Sequence, residues 1–358
     1  MNHIVQLARR YDVTVVANAT DFGFLGSDRQ GISHATVHIE RDINLLRDTA
    51  ALVHMFTFLR AGNFDAVYSV TPKAGLTSML AAYVARIPVR VHTFTGQVWV
   101  TAREPTRSIL RAADRLIAAL STHVLVDSRS QMEFLVAEGI VEPQKATVLA
   151  GGSISGVDLS RFSPNRAARD KVRSDLRIDE SAVVFLFVGR LKKDKGLLDL
   201  ARAFAALSRV RDSVRLLVVG PDEEKLRNCF LELCQECRDS VVVLDYAERP
   251  EELMAAADVL CLPSYREGFG GVIVEAAAVG IPSIGSRIYG ITDAIVEGVT
   301  GLLHDPANHD SLLAQMLKMV DSPSLRLEMG TRARERAVRD FSSERVTTAL
   351  VDFMSSVV

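Results

Sequence analysis

The chain has 358 residues, of which 48% are hydrophobic and 24% charged, with a formal net charge of −2. That length favours two domains, each large enough to bury a full core, and the composition is that of a globular enzyme, not of a disordered chain. The near-neutral charge argues against a nucleic-acid binder, and no run of about 18 apolar residues is present to span a membrane.

Short β-branched runs alternate with longer helical patterns along the chain, the pattern of βαβ units on parallel sheets. The opening, Met1 to Arg10, is too short and polar for a secretory signal and reads as part of a helix. Strands are predicted at 13–17, 66–70, 89–93, 123–127 and 147–150, and helices at 44–59, 76–85, 106–120 and 130–138. A doubly wound domain begins with its central strand and a Gly-rich turn. Neither precedes the strand at 13–17, so the first sheet is expected to lack its first strand, as it would if the start site lay too far downstream.

Gly151 to Asp158, rich in Gly and Ser, reads as a linker. Beyond it, strands are predicted at 183–188, 216–219, 241–244, 259–262 and 283–285. Helices fit 197–207, 223–237, 251–256 and 272–279. From Ser311 onward the pattern is helical, with no further strand. Two similar halves imply two Rossmann-like domains, 1–155 and 156–340, with a closing helix at 341–358 that could cross back to the first. Cys229, Cys234, Cys237 and Cys261 all lie in the second half, three of them on one predicted helix. A lone C-x-x-C without a second ligand pair reads as free thiols and not as a metal site.

Two motifs carry chemistry. The first, Glu267-Gly268-Phe269-Gly270-Gly271-Val272-Ile273-Val274-Glu275, follows a strand and opens an apolar helix. Its glycines allow close backbone approach, and the helix start offers free N–H groups to a phosphate. The two glutamates can accept hydrogen bonds from sugar and ribose hydroxyls. The second motif, Gly189-Arg190-Leu191-Lys192-Lys193-Asp194-Lys195-Gly196, lies just past the strand at 183–188, where open parallel sheets bind ligands. Arg190 and Lys195 put two cations beside one loop, as a diphosphate leaving group requires. Taken singly, each of these residues also reads as an ordinary loop or helix-start charge.

This pair of motifs resembles glycosyltransferase family 4, the retaining enzymes of GT-B fold. Its Glu-x7-Glu element matches at Glu267 and Glu275, and its Gly-Arg-Leu…Lys-Gly element at Gly189, Arg190, Lys195 and Gly196. Thr71-Pro72-Lys73-Ala74-Gly75, the run from Val91 to Trp99, and the segments 289–294 and 298–303 look like the branch that builds capsular polysaccharide, O-antigen and lipid-linked oligosaccharides. The family's Gly-rich turn after the first strand is absent, and Gly271 stands where the branch often has Asn.

The resemblance implies a metal-independent, retaining hexosyltransferase with no cofactor. It would move a hexose or N-acetylhexosamine from a nucleotide-diphosphate sugar, UDP-linked for preference, to a glycan or polyprenyl-diphosphate-linked acceptor. Arg190, Lys195, Glu267, Gly268, Phe269, Gly270, Gly271 and Glu275 would form the donor site. His92, Glu267, Arg190 and Lys195 would serve catalysis, with His92 against the donor sugar or the acceptor. Lys73, Thr95 and Gly96 would meet the acceptor. A catalytically idle or truncated subunit and a sugar-nucleotide epimerase of the same fold remain open alternatives.

The expected location is the cytoplasm. Contact with the inner face of the plasma membrane is an open reading, because Arg103, Arg107, Arg111 and Arg115 share one face of the helix predicted at 106–120. Glu104 and Asp114 are expected to pair with them and to make that face a salt-bridged one.

Overall fold

The chain forms two α/β units, 1–155 with 343–358 and 156–342, in a computed structural model that describes residues 2–18, 31–39 and 44–358. In chain order the first unit contains α1 (Asn2–Ala8), β1 (Val13–Ala17), β2 (Ile32–Thr36), α2 (Leu45–Ala61), β3 (Ala66–Val70), α3 (Pro72–Val84), β4 (Val89–Phe94), α4 (Thr106–Leu120), β5 (His123–Val126), α5 (Arg129–Ala137) and β6 (Ala146–Val148). The second contains α6 (Arg166–Asp175), β7 (Val183–Val188), α7 (Leu197–Ser208), β8 (Val214–Val219), α8 (Arg227–Leu233), β9 (Val241–Leu244), α9 (Pro250–Ala256), β10 (Val259–Leu262), α10 (Gly271–Val279), β11 (Ser283–Ser286), α11 (Ile291–Ala294), β12 (Gly301–His304), α12 (His309–Asp321) and α13 (Pro323–Phe341). The last helix, α14 (Ser343–Val357), belongs to the first unit.

All strand pairs are parallel. The second unit has one six-stranded sheet in the order β12-β11-β10-β7-β8-β9. The chain builds outward from β7 through β8 to β9, then returns to the other side of β7 at β10. The order therefore reverses between β7 and β10, the position at which doubly wound sheets bind ligands beyond their strand ends. β10 is wholly buried and β7 nearly so, as expected of a sheet covered on both faces. Side chains such as Phe185, Phe187 and Phe204 are fully buried, each contributing about 1.5–3 kcal/mol.

The first unit divides its strands between two sheets. β1 pairs with β2, and β3-β4-β5-β6 form a separate sheet. Val16 of β1 and Val67 of β3 pack against the same apolar group, which includes Met55, Leu59 and Ala82. Among the described residues no strand joins β1 to β3, at the place where a doubly wound sheet would put its first strand. On the other side, Leu350 and Met354 of α14 pack on Val91 and Leu125, with Leu7 of α1 beside them. His3 ties that corner, with Nδ1 2.8 Å from Thr347 Oγ1 and Nε2 2.7 Å from the Ile154 carbonyl.

Helix starts follow local chemistry. Asn44, Ser128, Asn165 and Asn308 cap α2, α5, α6 and α12 by accepting a backbone N–H three residues on. The helix predicted at 223–237 is shorter than expected. Asp222 accepts from the Leu226 and Arg227 amides at 2.8 and 3.0 Å, which starts α8 at Arg227. After Leu233 the chain tightens into a 3-10 turn with a kink at Cys237. Four elements absent from the sequence prediction are present: β2, α6, α11 and β12. Cys234, Cys237 and Cys261 are buried free thiols, and Cys229 is exposed.

The arginine face of α4 is organised differently from expectation. Asp114 turns inward, 5% exposed, and accepts Trp99 Nε1–H at 2.8 Å. Arg111 instead binds the Glu138 carboxylate and carbonyl, each at 2.7 Å, and Arg115 binds the Gly139 carbonyl at 3.1 Å. Both arginines thus fasten the end of α5. Glu104 caps Ser108.

Burial pushes the Asp114 carboxyl up to about 6, against a smaller opposing effect of Trp99. The desolvation cost is full above pH 6, falls as the folded protein takes up a proton, and vanishes below the unfolded value near 4. Asp114→Asn keeps the acceptor for Trp99 without the charge. It is expected to stabilise the first unit by up to about 3 kcal/mol at pH 8 and by nothing near pH 4. Thermal unfolding at both pH values measures the difference, and equal effects at the two would rule this account out.

Candidate active site

Two loops meet at the switch point of the second unit: 189–196 after β7 and 263–270 after β10. Gly196 makes the approach possible. It has φ +68°, and a Cβ there would lie 1.9 Å from the Pro263 carbonyl oxygen. The Tyr265 amide donates to the Asp194 carbonyl at 2.8 Å, and Tyr265 OH donates to Asp199 Oδ2 at 2.6 Å. Two ion pairs cross the junction. Lys195 Nζ lies 2.5 Å from Glu267 Oε1, and Arg266 Nη2 lies 2.8 Å from Asp194 Oδ2. Ser264 Oγ donates to the same Glu267 oxygen at 2.8 Å. Lys195 and Glu267, singled out from separate motifs, therefore touch.

The glycine run leads from this contact into α10. Gly270 caps the helix in the left-handed region, φ +84°, with no side-chain cap and no acidic residue in the first turn. A Cβ at Gly271 would meet nothing within 4 Å, so the positive end of α10 opens onto free space. Gly290, φ +81°, packs under the motif, where a Cβ would sit 2.5 Å from the Gly268 carbonyl oxygen. Phe269, expected among donor contacts, is 3% exposed and meets Phe341 edge-on. Glu275 is half-buried on α10, and burial raises its carboxyl above the usual range, partly offset by Arg161.

Arg190 is placed less directly than Lys195. Its side chain is 46% exposed and lies 3.3 Å from Glu223, which also holds Lys192 at 3.2 Å. Glu223, assigned to a helix by sequence, sits in the loop before α8 and supplies this anion.

Of the first-unit candidates, His92 is closed off where the sequence reading puts it against a sugar. It is 1% exposed, its Nδ1 lies 2.8 Å from Ser69 Oγ, and burial pushes its pKa down to about 4. Its ring lies against Gly75, where a Cβ would come within 2.3 Å of Cε1. Thr95 and Gly96 form the turn after β4, and the Thr95 carbonyl accepts from Gln97 at 2.7 Å and Gln131 at 2.5 Å. Lys73, in the first turn of α3, pairs with Asp48 at 2.7 Å. That contact holds the Asp48 carboxyl below its usual range.

Sequence reading assigns no individual role to Asp194, Ser264, Tyr265, Arg266, Asp199, Glu223 or Gly290, although Asp194 stands inside the second motif and Gly290 inside the segment 289–294. Asp194 and Arg266 each precede a motif residue, which was the available signal. Their pairing across the loops was not visible. Among the described residues no group of three or more His, Cys, Asp or Glu side chains could hold a metal, and no helix is long and apolar enough to cross a membrane.

Residues 168–336 match the family model described as glycosyl transferases group 1, and residues 2–152 match a glycosyl transferase 4-like domain. The chain is 27% identical to the capsular polysaccharide biosynthesis glycosyltransferase CapM of Staphylococcus aureus, over 95% of this chain and 89% of that protein. It is 26% identical to the UDP-Gal:alpha-D-GlcNAc-diphosphoundecaprenol alpha-1,3-galactosyltransferase of Escherichia coli, over 89% and 82%. It is 32% identical to the D-inositol 3-phosphate glycosyltransferase of Corynebacterium efficiens, over 83% and 73%. Among solved structures, Anabaena Alr3699/HepE in complex with UDP superposes with a TM-score of 0.81 at 20% identity, covering 99% of this chain and 95% of that one. That likeness shows the fold, GT-B, as the motifs imply.

Proposed function

From a chain that belongs to the group 1 glycosyl transferases, and is thus a glycosyltransferase, we propose a retaining, metal-independent enzyme that uses a UDP-sugar. The sugar, a hexose or N-acetylhexosamine, would pass to a glycan or polyprenyl-diphosphate-linked acceptor in cell-surface polysaccharide synthesis. The carrying observation is the contact of Lys195 with Glu267 beside the uncapped start of α10. Two relatives bear names from capsular polysaccharide and diphosphoundecaprenol-linked synthesis, and the HepE structure holds UDP.

In this reading the donor diphosphate lies on Lys195 and the α10 start, with Arg190 reaching it after release from Glu223. Glu275 takes the ribose hydroxyls and Glu267 the transferred sugar. The bond between the anomeric carbon and the diphosphate oxygen breaks, and its electron pair stays on the diphosphate. Lys195 and the helix dipole stabilise that charge as it grows, the task a bound metal performs in other enzymes. The acceptor hydroxyl attacks from the face just vacated, and its proton passes to the departing phosphate. The first unit supplies the acceptor contacts at Lys73, Thr95 and Gly96. Phosphate binding by Lys73 requires exchange of Asp48 for the ligand. His92, buried and neutral, takes no direct part.

A donor screen with mass detection tests the proposal: UDP release from one UDP-sugar is expected, accelerated by acceptor. Absence of turnover with every UDP-sugar, together with UDP binding, would favour the idle-subunit alternative. Acceptor-independent release of UDP with epimerised sugar would favour the epimerase. Peripheral membrane contact belongs to the same proposal and rests on exposed Arg103, Arg107 and Ile109, since Arg111 and Arg115 are engaged elsewhere. Failure to sediment with anionic liposomes would remove it.

A further inference from the structure

We propose that Asp194 and Arg266 are positioning residues for donor binding, their ion pair setting the register in which Lys195 meets Glu267. This rests on the donor-site reading above. Asp194 directly precedes Lys195, and Arg266 directly precedes Glu267. Across the two loops these neighbours pair with opposite polarity: acid on the β7 loop with base on the β10 loop, then base with acid. A slip of one residue between the loops would set Asp194 against Glu267 or Lys195 against Arg266, so the charges admit one alignment.

The pair is also shielded. Asp194 and Arg266 side chains are 16% and 18% exposed. The Tyr265 amide on the Asp194 carbonyl, and the Tyr265 hydroxyl on Asp199 at the start of α7, fix the same loops from two further points. Asp194 Oδ1 is buried without a hydrogen-bond partner. A carboxylate with half its acceptor capacity unused is a costly way to join two loops if cohesion alone is at issue.

Its advantage lies at the neighbouring pair. A diphosphate must draw Lys195 partly away from Glu267. With Asp194 and Arg266 holding the backbones, that exchange moves a side chain and leaves both loops in place. The cation is then aimed before the donor arrives, which is the condition for electrostatic stabilisation without reorganisation.

The test compares Asp194→Asn, Arg266→Gln and the double variant by UDP calorimetry, steady-state kinetics and thermal unfolding. Each single variant is expected to lower UDP affinity and kcat/KM by about 10- to 100-fold, because small misplacements of aligned groups cost that much. The double variant is expected to be no worse than the poorer single one, since one interaction is removed once. Reduced melting temperature with wild-type UDP affinity would mean a merely structural pair and overturn the proposal. Should Asp194→Asn not fold, Arg266→Gln carries the test alone, since it removes the charge from the other side of the pair; wild-type UDP affinity and kcat/KM in that variant would overturn it equally. Lys195→Ala, measured alongside, separates the two levels. Lost UDP affinity there with none lost in Asp194→Asn sinks the clamp alone. Wild-type affinity in both sinks the donor-site reading, and the clamp with it.

Discussion

Lys195→Ala is expected to lower kcat/KM by about 10²–10³-fold, the usual effect of removing one fixed donor from a charge that develops in the transition state. The side chain is 17% exposed and already aligned by Glu267, so little water competes for it. Most of the loss should fall on kcat, because the charge it meets is larger at the transition state than in the bound donor. Arg190→Ala should cost less, on the order of 10-fold, since that guanidinium is 46% exposed and engaged by Glu223. Steady-state kinetics with the preferred donor measures both. An unchanged kcat/KM in Lys195→Ala would exclude the assigned role.

Gly196→Ala is expected to destabilise the second unit by about 2–5 kcal/mol. The left-handed backbone costs a side chain about 1–2 kcal/mol, and forcing a methyl into a packed position typically adds 1–3. Here the obstacle is backbone, a carbonyl oxygen 1.9 Å from the new atom, which cannot swing aside as a side chain would. For a unit of this size the melting temperature should fall by roughly 5–15 °C. The same change pushes the β7 loop off the β10 loop, so donor affinity should fall as well. Thermal unfolding with and without UDP reads both effects. A wild-type melting temperature would show that the loops separate freely, against the close packing described above.

How much of this was legible in the sequence depended on what each residue's position could reveal. The two-unit α/β fold followed from alternating β-branched and helical runs, and the strands of the second unit were readable because β7 and β10 are almost uniformly apolar. β2 and β12 escaped notice. One is Ile-Ser-His-Ala-Thr, mostly polar, and the other, Gly-Leu-Leu-His, has no β-branched residue to mark it. α6 was hidden by its arginines, one of which, Arg173, is buried against Asp258 at 2.7 Å. Arginines that fold inward look the same in sequence as arginines that face water. The same limit applied to α4, where Arg111 and Arg115 hold α5.

In the site, Lys195 and Glu267 could be singled out because each sits in a Gly-bounded loop after an apolar strand. Their contact, the crossed pair beside them and the Glu223 counter-anion depend on which loops lie side by side. Only the strand order β10-β7 determines that. His92 shows the converse. Its place at a strand end suggested access, but the room that Gly75 leaves above it draws the ring into the interior.

The separation of β1–β2 from β3–β6 leaves the first half of the molecule with strand borders whose amides and carbonyls have no ladder partner among the described residues. Such borders template pairing with any extended chain, including a neighbouring copy. Among the described residues β9 and β12 border the second sheet in the same way, whereas β7 and β10, flanked on both sides, offer no such seam.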